Sequence, residues 1–342
     1  MPEAGGVDLA GEIVVGNGGF FSRAEALECG ETDRTLRQSV RRGEVVRLRH
    51  GMYAPGDAHQ KLDDAARHLV LARAVVAGQR GDVALTGPSA ALLHGFDVWG
   101  HDLTVVHLLR LDKGAGRHEA GVVHHHSAPE VVGGVGPYAG LLAVSPAHAV
   151  WEVARLSTLE SAVVTADSAL HRDSTRHSGK PGADKDKVGL ADQLGALAER
   201  CVAHPRSRTA RLALRLARKE SESPGESLTR VGCYRHGIPA PVLQYEVIDD
   251  DGLYLGRSDF YWEEFRHLAE FDGKVKYERL LQPGESASDC VVREKQREDA
   301  MRGTLRGMTR MVWAEVVPRA AAQTMARLRR DLERSQTLYV RA

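Results

Sequence analysis

Four residues in the last third of the chain have types and spacing that could support phosphodiester hydrolysis. Glu270, Asp272 and Lys274 alternate along one predicted strand, so their side chains should point to the same face. Asp259 lies late in the preceding predicted strand and should join them from the neighbouring position. Two or three converging carboxylates form a hard oxygen site suited to Mg²⁺, which can activate water. Lys274 would orient or deprotonate the nucleophile.

Glu226 allows two interpretations. Ser223, Pro224 and Glu226 form a capping-box pattern with proline at the first helical position, so the carboxylate could serve only to begin a helix. Alternatively, the carboxylate supports catalysis from that helix. Residue types and spacing leave both interpretations open.

A cluster of arginines indicates a second kind of chemistry, the binding of phosphate groups. Residues 34–49 contain one acid, Glu44, and six arginines: Arg34, Arg37, Arg41, Arg42, Arg47 and Arg49. The whole chain has 46 Lys and Arg against 46 Asp and Glu, so this excess is local. A solvated helix face could carry such a run, but these charges fall on both a predicted helix and a predicted hairpin. That distribution favours DNA contact.

The elements that position these arginines follow from local signals. Ser22 with Glu25 forms a capping box for a short helix, and Thr32 can begin a second helix over residues 33–42. Gly43 should end that second helix in a left-handed conformation. After it, apolar and basic residues alternate up to a turn at 50–51, which predicts a hairpin. Together these elements predict a winged helix-turn-helix over residues 12–57.

The same segment resembles the N-terminal domain of AbiEi-type antitoxins from type IV toxin–antitoxin systems. The motifs that carry the resemblance are R-R-G-E-V-V-R at 41–47 and G-M-Y-A at 51–54. The resemblance implies a winged helix that binds double-stranded DNA and represses its own operon, with a cognate toxin as a possible partner.

The middle of the chain, residues 58–218, is predicted to be a mixed domain without chemistry of its own. Segments 83–95, 145–151 and 164–170 resemble the region that follows the winged helix in the same antitoxins. A strand would place His124 and His126 on one face, but no carboxylate or cysteine stands at ligand spacing, so we expect a surface strand end. The polar stretch 172–189 predicts an exposed, mobile loop.

In the C-terminal segment, residues 219–342, the hydrophobic pattern from residue 242 onward has the two-residue period of β-strands. Three predicted strands within 242–277 form a meander, with a helix before it at 224–236. A second helix is predicted over 287–302 and a final strand over 310–316. Glu294, Lys295 and Arg297 lie on that second helix, where such charges usually form a solvated face.

Taken as a whole, this segment resembles the Vsr-like branch of the PD-(D/E)XK nuclease fold, in its small actinobacterial form. The residues that carry the resemblance lie at 224–227, 237–239, 258–260, 270–277 and 294–295. The resemblance implies a restriction-endonuclease-like α/β domain with a Mg²⁺ cofactor. It also implies that Asp259 and Asp272 are metal ligands, with Glu270 beside them and Glu226 reaching in from the first helix.

Composition limits the remaining possibilities. The balanced charge excludes a uniformly basic DNA-coating protein, and the four cysteines lack the spacing of a zinc site or disulfide framework. No predicted segment has the character of a secretory leader or a membrane span, so we expect a cytoplasmic α/β protein with several domains. Two functions remain: a DNA-binding regulator whose C-terminal fold is a structural or interaction module, and a metal-dependent nuclease. Action on a protein partner, with the middle domain as the interface, is a third interpretation.

Overall fold

The computed structural model describes residues 9–112, 116–125, 134–178, 188–273 and 296–340. It is a mixed α/β protein, as the sequence predicts, and it divides into two compact units. The first unit contains Met1–Leu156 with Asp192–Ala203, and the second contains Ser157–Ala191 with His204–Ala342. The predicted boundaries after residues 57 and 218 fall inside these units, and the three-domain division stays a prediction.

The first unit begins with a small three-stranded sheet and three helices. Its elements are α1 (Leu9–Gly16), β1 (Phe21–Ser22), α2 (Arg23–Glu28), α3 (Asp33–Arg42), β2 (Val45–Arg49) and β3 (Met52–Pro55). The strand order is β1-β3-β2, and β2 and β3 form the antiparallel hairpin that the sequence predicts. The predicted helix over 33–42 is confirmed at both ends, because its start and stop signals are local.

Two apolar clusters hold this small sheet in place. Phe21, Ala26 and Leu36 pack beneath the helices, so α3 is anchored by one face. Phe20 and Ala54 pack instead against a helix further along the chain, α5 (Asp64–Ala77), which α4 (Gly56–Gln60) precedes. Burial against α5 explains why the winged helix belongs to a larger compact unit.

A six-stranded mixed sheet forms the rest of the first unit. Its strands are β4 (Val83–Leu85), β5 (Val106–Arg110), β6 (Arg117–Glu119), β7 (Val122–His125), β8 (Val135–Tyr138) and β9 (Leu141–Val144), in the order β6-β7-β5-β4-β9-β8. The helices α6 (Gly87–Leu93) and α7 (Pro146–Leu156) are almost wholly buried. Because β7 pairs on both sides, it is an interior strand.

The second unit contains most of the remaining helices. In chain order, the helices that follow are α8 (Leu159–Ser178), α9 (Leu190–Arg200), α10 (Ser207–Leu216), α11 (Pro224–Arg235), α12 (residues 296–303), α13 (Trp313–Val316) and α14 (Pro318–Tyr339). Of these, α9 begins at the end of a segment of the second unit and lies mostly in the first unit. The prediction of a loop over 172–189 is corrected for residues 172–178, which continue α8. Hydroxyls of Ser174 and Thr175 bond to carbonyls one turn back, which a polar helix end can satisfy without burial. Residues 179–187 lie outside the described part.

A four-stranded sheet completes the second unit. Its strands are β10 (Val242–Ile248), β11 (Tyr254–Trp262), β12 (His267–Asp272) and β13 (Gly307–Val312), in sequential order. The meander is confirmed up to residue 272. The final strand begins three residues earlier than predicted and pairs parallel to β12, and residues 313–316 are helical. None of the helices described in either unit is both long and apolar enough to cross a membrane.

Candidate nucleic-acid interface and carboxylate site

The capping residues of helix α3 determine where it begins and ends. The Thr32 hydroxyl accepts a hydrogen bond from the Thr35 backbone N–H at 3.1 Å, and Thr35 Oγ1 accepts one from Thr32 N–H at 2.8 Å. Gly43 ends the helix with φ of 75°, a conformation that costs glycine little. The preceding helix α2 begins at the predicted capping box, in which the Ser22 N–H donates to the Glu25 carboxylate at 2.6 Å.

The arginines predicted to bind DNA lie on the solvent side of this helix and hairpin. Leu36 is the buried residue of α3, and the arginines occupy the other faces. Arg49 is half-buried. The other five arginines are exposed: Arg34, Arg37, Arg41, Arg42 and Arg47. Within the described ranges, no carboxylate lies within ion-pair distance of Arg34, Arg37 or Arg41. Their charges are therefore available to phosphate groups.

The other arginines of the cluster have partners of different strength. Arg42 lies 3.7 Å from Glu44, an exposed pair that contributes little to stability. Arg49 donates to the Val75 carbonyl at 3.4 Å, which ties the end of the wing to α5.

Arg23 is a positioning residue that sequence reasoning missed. It forms two hydrogen bonds to the Asp33 carboxylate, at 2.7 and 2.6 Å, and so links α2 to the start of α3. The hydrogen bond from Arg23 lowers the pKa of Asp33 from its ordinary value. Arg23 and Asp33 are ten residues apart in sequence, so the i,i+3 and i,i+4 spacing of ion pairs within one helix does not predict this pair.

A short helix, a turn, a second helix with exposed arginines and a basic hairpin together form a winged helix-turn-helix domain, an arrangement typical of DNA-binding domains. Comparison with known families agrees with this geometry. Residues 12–56 match the family described as "Transcriptional regulator, AbiEi antitoxin". The N-terminal resemblance drawn from the sequence is thereby confirmed, and the N-terminal segment carries an AbiEi antitoxin domain.

Two similar proteins extend the comparison beyond the winged helix. Proteins from two strains of Mycobacterium tuberculosis, CDC 1551 / Oshkosh and ATCC 25618 / H37Rv, are each 28% identical to this chain over 281 residues. The match covers 78% of this chain and 93% of each relative, and both relatives are described as uncharacterized proteins.

The predicted carboxylates meet in the four-stranded sheet of the second unit. Phe260 pairs with Ala269 across β11 and β12, so the next positions place Asp259 beside Glu270. Glu270 is in turn paired with Arg310 on β13. Asp259 accepts a hydrogen bond from the Phe271 backbone N–H at 2.8 Å. The sheet therefore places Asp259 beside Glu270, and Glu270 and Asp272 share a contact with Arg310. Lys274 lies outside the described residues, and the catalytic assignment stays a prediction.

Two arginines that the site prediction did not include occupy the same face. The Arg297 guanidinium lies 2.9 and 3.1 Å from the two Glu270 oxygens, so the prediction that Arg297 belongs to a solvated face is corrected. Arg310 lies 3.3 Å from Glu270, 3.2 Å from Asp272 and 3.1 Å from Glu298. The parallel pairing of β12 with β13, separated by 34 residues of chain, brings Arg310 here, and spacing in the sequence could not reveal it.

Burial controls the ionisation of this site. Glu270 is 5% exposed, and burial raises its pKa above the ordinary value, with the charge of Asp259 acting in the same direction. Arg297 and Arg310 oppose the shift without cancelling it. Within the described ranges, no group of three or more His, Cys, Asp or Glu side chains has the arrangement of a metal site. Among the described residues, Arg297 and Arg310 offset part of the negative charge of Glu270 and Asp272.

Glu226 lies at the start of α11, where the capping interpretation applies. It accepts hydrogen bonds from the Ser223 hydroxyl at 2.6 Å and the Glu222 N–H at 3.0 Å. It also accepts one from Gln244 Nε2 at 2.9 Å. Gln244 stands between the pairs that join β10 to β11, at the position opposite Asp259. The Ser223 hydroxyl caps α11 by accepting from the Glu226 N–H, and the Glu226 carboxylate holds that hydroxyl in place. Through Gln244, which sequence reasoning missed, Glu226 also reaches a polar row across the sheet that consists of Gln244, Asp259, Glu270 and Arg310.

Proposed function

We propose that this protein is a DNA-binding transcriptional regulator of antitoxin type, which binds the control region of its own operon and acts with a cognate toxin encoded there. One observation carries the proposal: an arginine-rich helix, capped at both ends, lies beside a basic hairpin and exposes Arg34, Arg37 and Arg41, none of which is within ion-pair distance of a carboxylate among the described residues. The family description of residues 12–56 supports the same function.

The test is sequence-specific binding to the DNA upstream of the protein's own coding region. A labelled duplex of that region and a shuffled duplex of equal length and composition would be compared by fluorescence anisotropy at one salt concentration. A regulator should bind the native duplex on the order of a thousandfold tighter or more. Equal affinity for both duplexes would contradict the proposal. A reporter fused to the same region should rise when the protein is deleted.

A second candidate function is DNA cleavage by the second unit, with Mg²⁺ as the proposed cofactor. It is favoured by the polar row across the sheet, which consists of Gln244, Asp259, Glu270 and Arg310. Glu226 of α11 accepts a hydrogen bond from Gln244 at one end of this row. A carboxylate row at the end of a meander, with a helix ahead of it, is also what the resemblance to Vsr-like nucleases implies. In this proposal, Asp259 and Asp272 are the metal ligands and Lys274 is the residue that positions the nucleophile.

Cleavage is tested by nicking of supercoiled plasmid with Mg²⁺ and with EDTA. Asp272→Asn should abolish Mg²⁺-dependent nicking and leave binding to the upstream duplex unchanged. Glu315→Gln is the matched control, because Glu315 carries an arginine partner, Arg327, outside the row. If the wild-type protein binds DNA but nicks no plasmid with Mg²⁺ or Mn²⁺, the nuclease function is refuted and the regulator function stands.

A further inference from the structure

A polar pocket of about 440 Å³ lies within the first unit, among the end of the wing, the loop after α5 and one end of the six-stranded sheet. Its charged lining consists of four arginines and three acids, with one histidine. The arginines are Arg49, Arg80, Arg110 and Arg117, the acids are Asp82, Asp112 and Glu119, and the histidine is His124. The lining therefore has an excess of positive charge even when the histidine is neutral.

The arginines of the pocket differ in how far their charges are satisfied. Arg110 forms two hydrogen bonds to Asp112, at 2.7 and 2.6 Å, and Arg117 lies 2.6 Å from Glu119. In contrast, within the part of the chain that the structure describes, no carboxylate lies within ion-pair distance of Arg49 or Arg80. Two guanidinium groups therefore remain able to bind an added anion.

His124 gives an independent indication that the pocket holds a ligand. The residue is only 3% exposed, and among the described residues neither ring nitrogen has a hydrogen-bond partner. Glu119 Oε1 lies 3.5 Å from Nε2, which is within ion-pair distance but long for a hydrogen bond. Buried polar atoms are nearly always hydrogen-bonded, so an imidazole left in this state against a cationic pocket points to a missing acceptor.

The position of His124 also corrects an expectation from the sequence. A surface strand end was expected there, but β7 is an interior strand between β5 and β6, and His124 is only 3% exposed. Alternation along β7 separates its two faces, but it does not tell which face packs against the rest of the unit. His126 lies outside the described residues.

We propose that this pocket binds a phosphate group, held by Arg49 and Arg80 and by a hydrogen bond donated from a ring nitrogen of His124. The planar guanidinium matches the geometry of phosphate oxygens, and charge-assisted hydrogen bonds of this kind are among the strongest in proteins. Arg49 belongs to the wing as well as the pocket, so the phosphate could be part of a DNA backbone. The volume also suits a free phosphorylated small molecule.

One arm of the experiment measures free ligands by isothermal titration at low salt, with inorganic phosphate and adenosine 5′-monophosphate as probes. Arg80→Ala should weaken the binding of a free ligand about tenfold or more, since a charge-assisted contact is lost. Arg80 lies in an exposed loop, so this variant should fold normally. His124→Gln tests the buried donor, with its melting temperature as a check on folding. Arg200→Ala is the matched control, because Arg200 is exposed and does not line the pocket.

The other arm measures affinity for the upstream duplex at several salt concentrations, and it rests on the proposed function. Arg80→Ala should lower the affinity and reduce the salt slope by about one phosphate contact, while Arg200→Ala should change neither. If the wild-type protein binds no DNA, the proposed function fails, and the free-ligand arm alone decides the pocket.

Loss of phosphate or nucleotide binding in Arg80→Ala and His124→Gln, with DNA affinity unchanged, would support a free ligand. Loss of DNA affinity without any free-ligand binding would support a backbone phosphate. If both variants match the wild-type protein in both arms, or if the wild-type protein binds neither a free ligand nor the upstream duplex, the proposal is overturned.

Discussion

The charges on α3 lead to a quantitative prediction for the double variant Arg37→Ala/Arg41→Ala. The two arginines are one helical turn apart, exposed, and without a carboxylate within ion-pair distance in the described structure. Replacement by alanine should preserve the helix, because alanine has the highest helix propensity and the core contact is made by Leu36. The variant therefore removes two charges and little else.

The size of the effect follows from counterion release. Each neutralised phosphate contributes about 0.9 to the slope of log affinity against log salt, so losing two contacts should reduce the slope by about 1.8. Between 50 and 200 mM salt, the ratio of wild-type to variant affinity should then shrink about tenfold. Arg42→Ala should have a smaller effect, because Glu44 lies 3.7 Å away and already screens part of that charge.

The assay is fluorescence anisotropy with the upstream duplex at four salt concentrations. The control is Arg330→Ala/Arg334→Ala, which removes an exposed arginine pair of the same spacing from α14 in the second unit. That control should leave both affinity and slope unchanged. If the α3 variant has the wild-type slope, or if the α14 control loses as much slope as the α3 variant, then α3 is not the phosphate-binding helix.

Three further predictions concern stability. Burial lowers the pKa of His267 to about 4, so on acidification the unfolded chain takes up this proton before the folded protein does. As the pH falls from 6.5 to about 4, the free energy of unfolding of the second unit should therefore decrease by about 3 kcal/mol. His267→Gln should flatten this dependence in urea unfolding, and an unchanged pH profile would contradict the assignment. Gly225→Ala should lower the melting temperature, because a Cβ there would overlap the Phe271 ring, whereas Gly303→Ala meets open space and should be neutral or stabilising. Thr32→Ala should cost the first unit about 1 kcal/mol by removing the cap of α3, and an unchanged thermal transition would refute that role.

The sequence by itself determined the elements whose signals are local. The caps at Ser22 and Thr32 and the left-handed Gly43 fix the winged helix, because each acts within three or four residues of itself. Because side chains alternate between the two faces of a strand, Glu270 and Asp272 were predicted to share one face of β12. Asp259 was predicted to lie beside them, since the turn between β11 and β12 is short. These features could be predicted because few residues separate the interacting groups.

Tertiary structure decided what surrounds those groups. Strand β13 returns to pair with β12 from 34 residues away, and only that pairing places Arg310 among the carboxylates. Likewise, packing of the first unit buries His124, and among the described residues neither of its ring nitrogens makes a hydrogen bond. The spacing of residues along the chain does not predict these tertiary contacts, because the free energy that selects them comes from burying whole faces of the sheet. The sequence therefore determined the charged groups, and the fold decided which of them are neutralised and which stay open to a ligand.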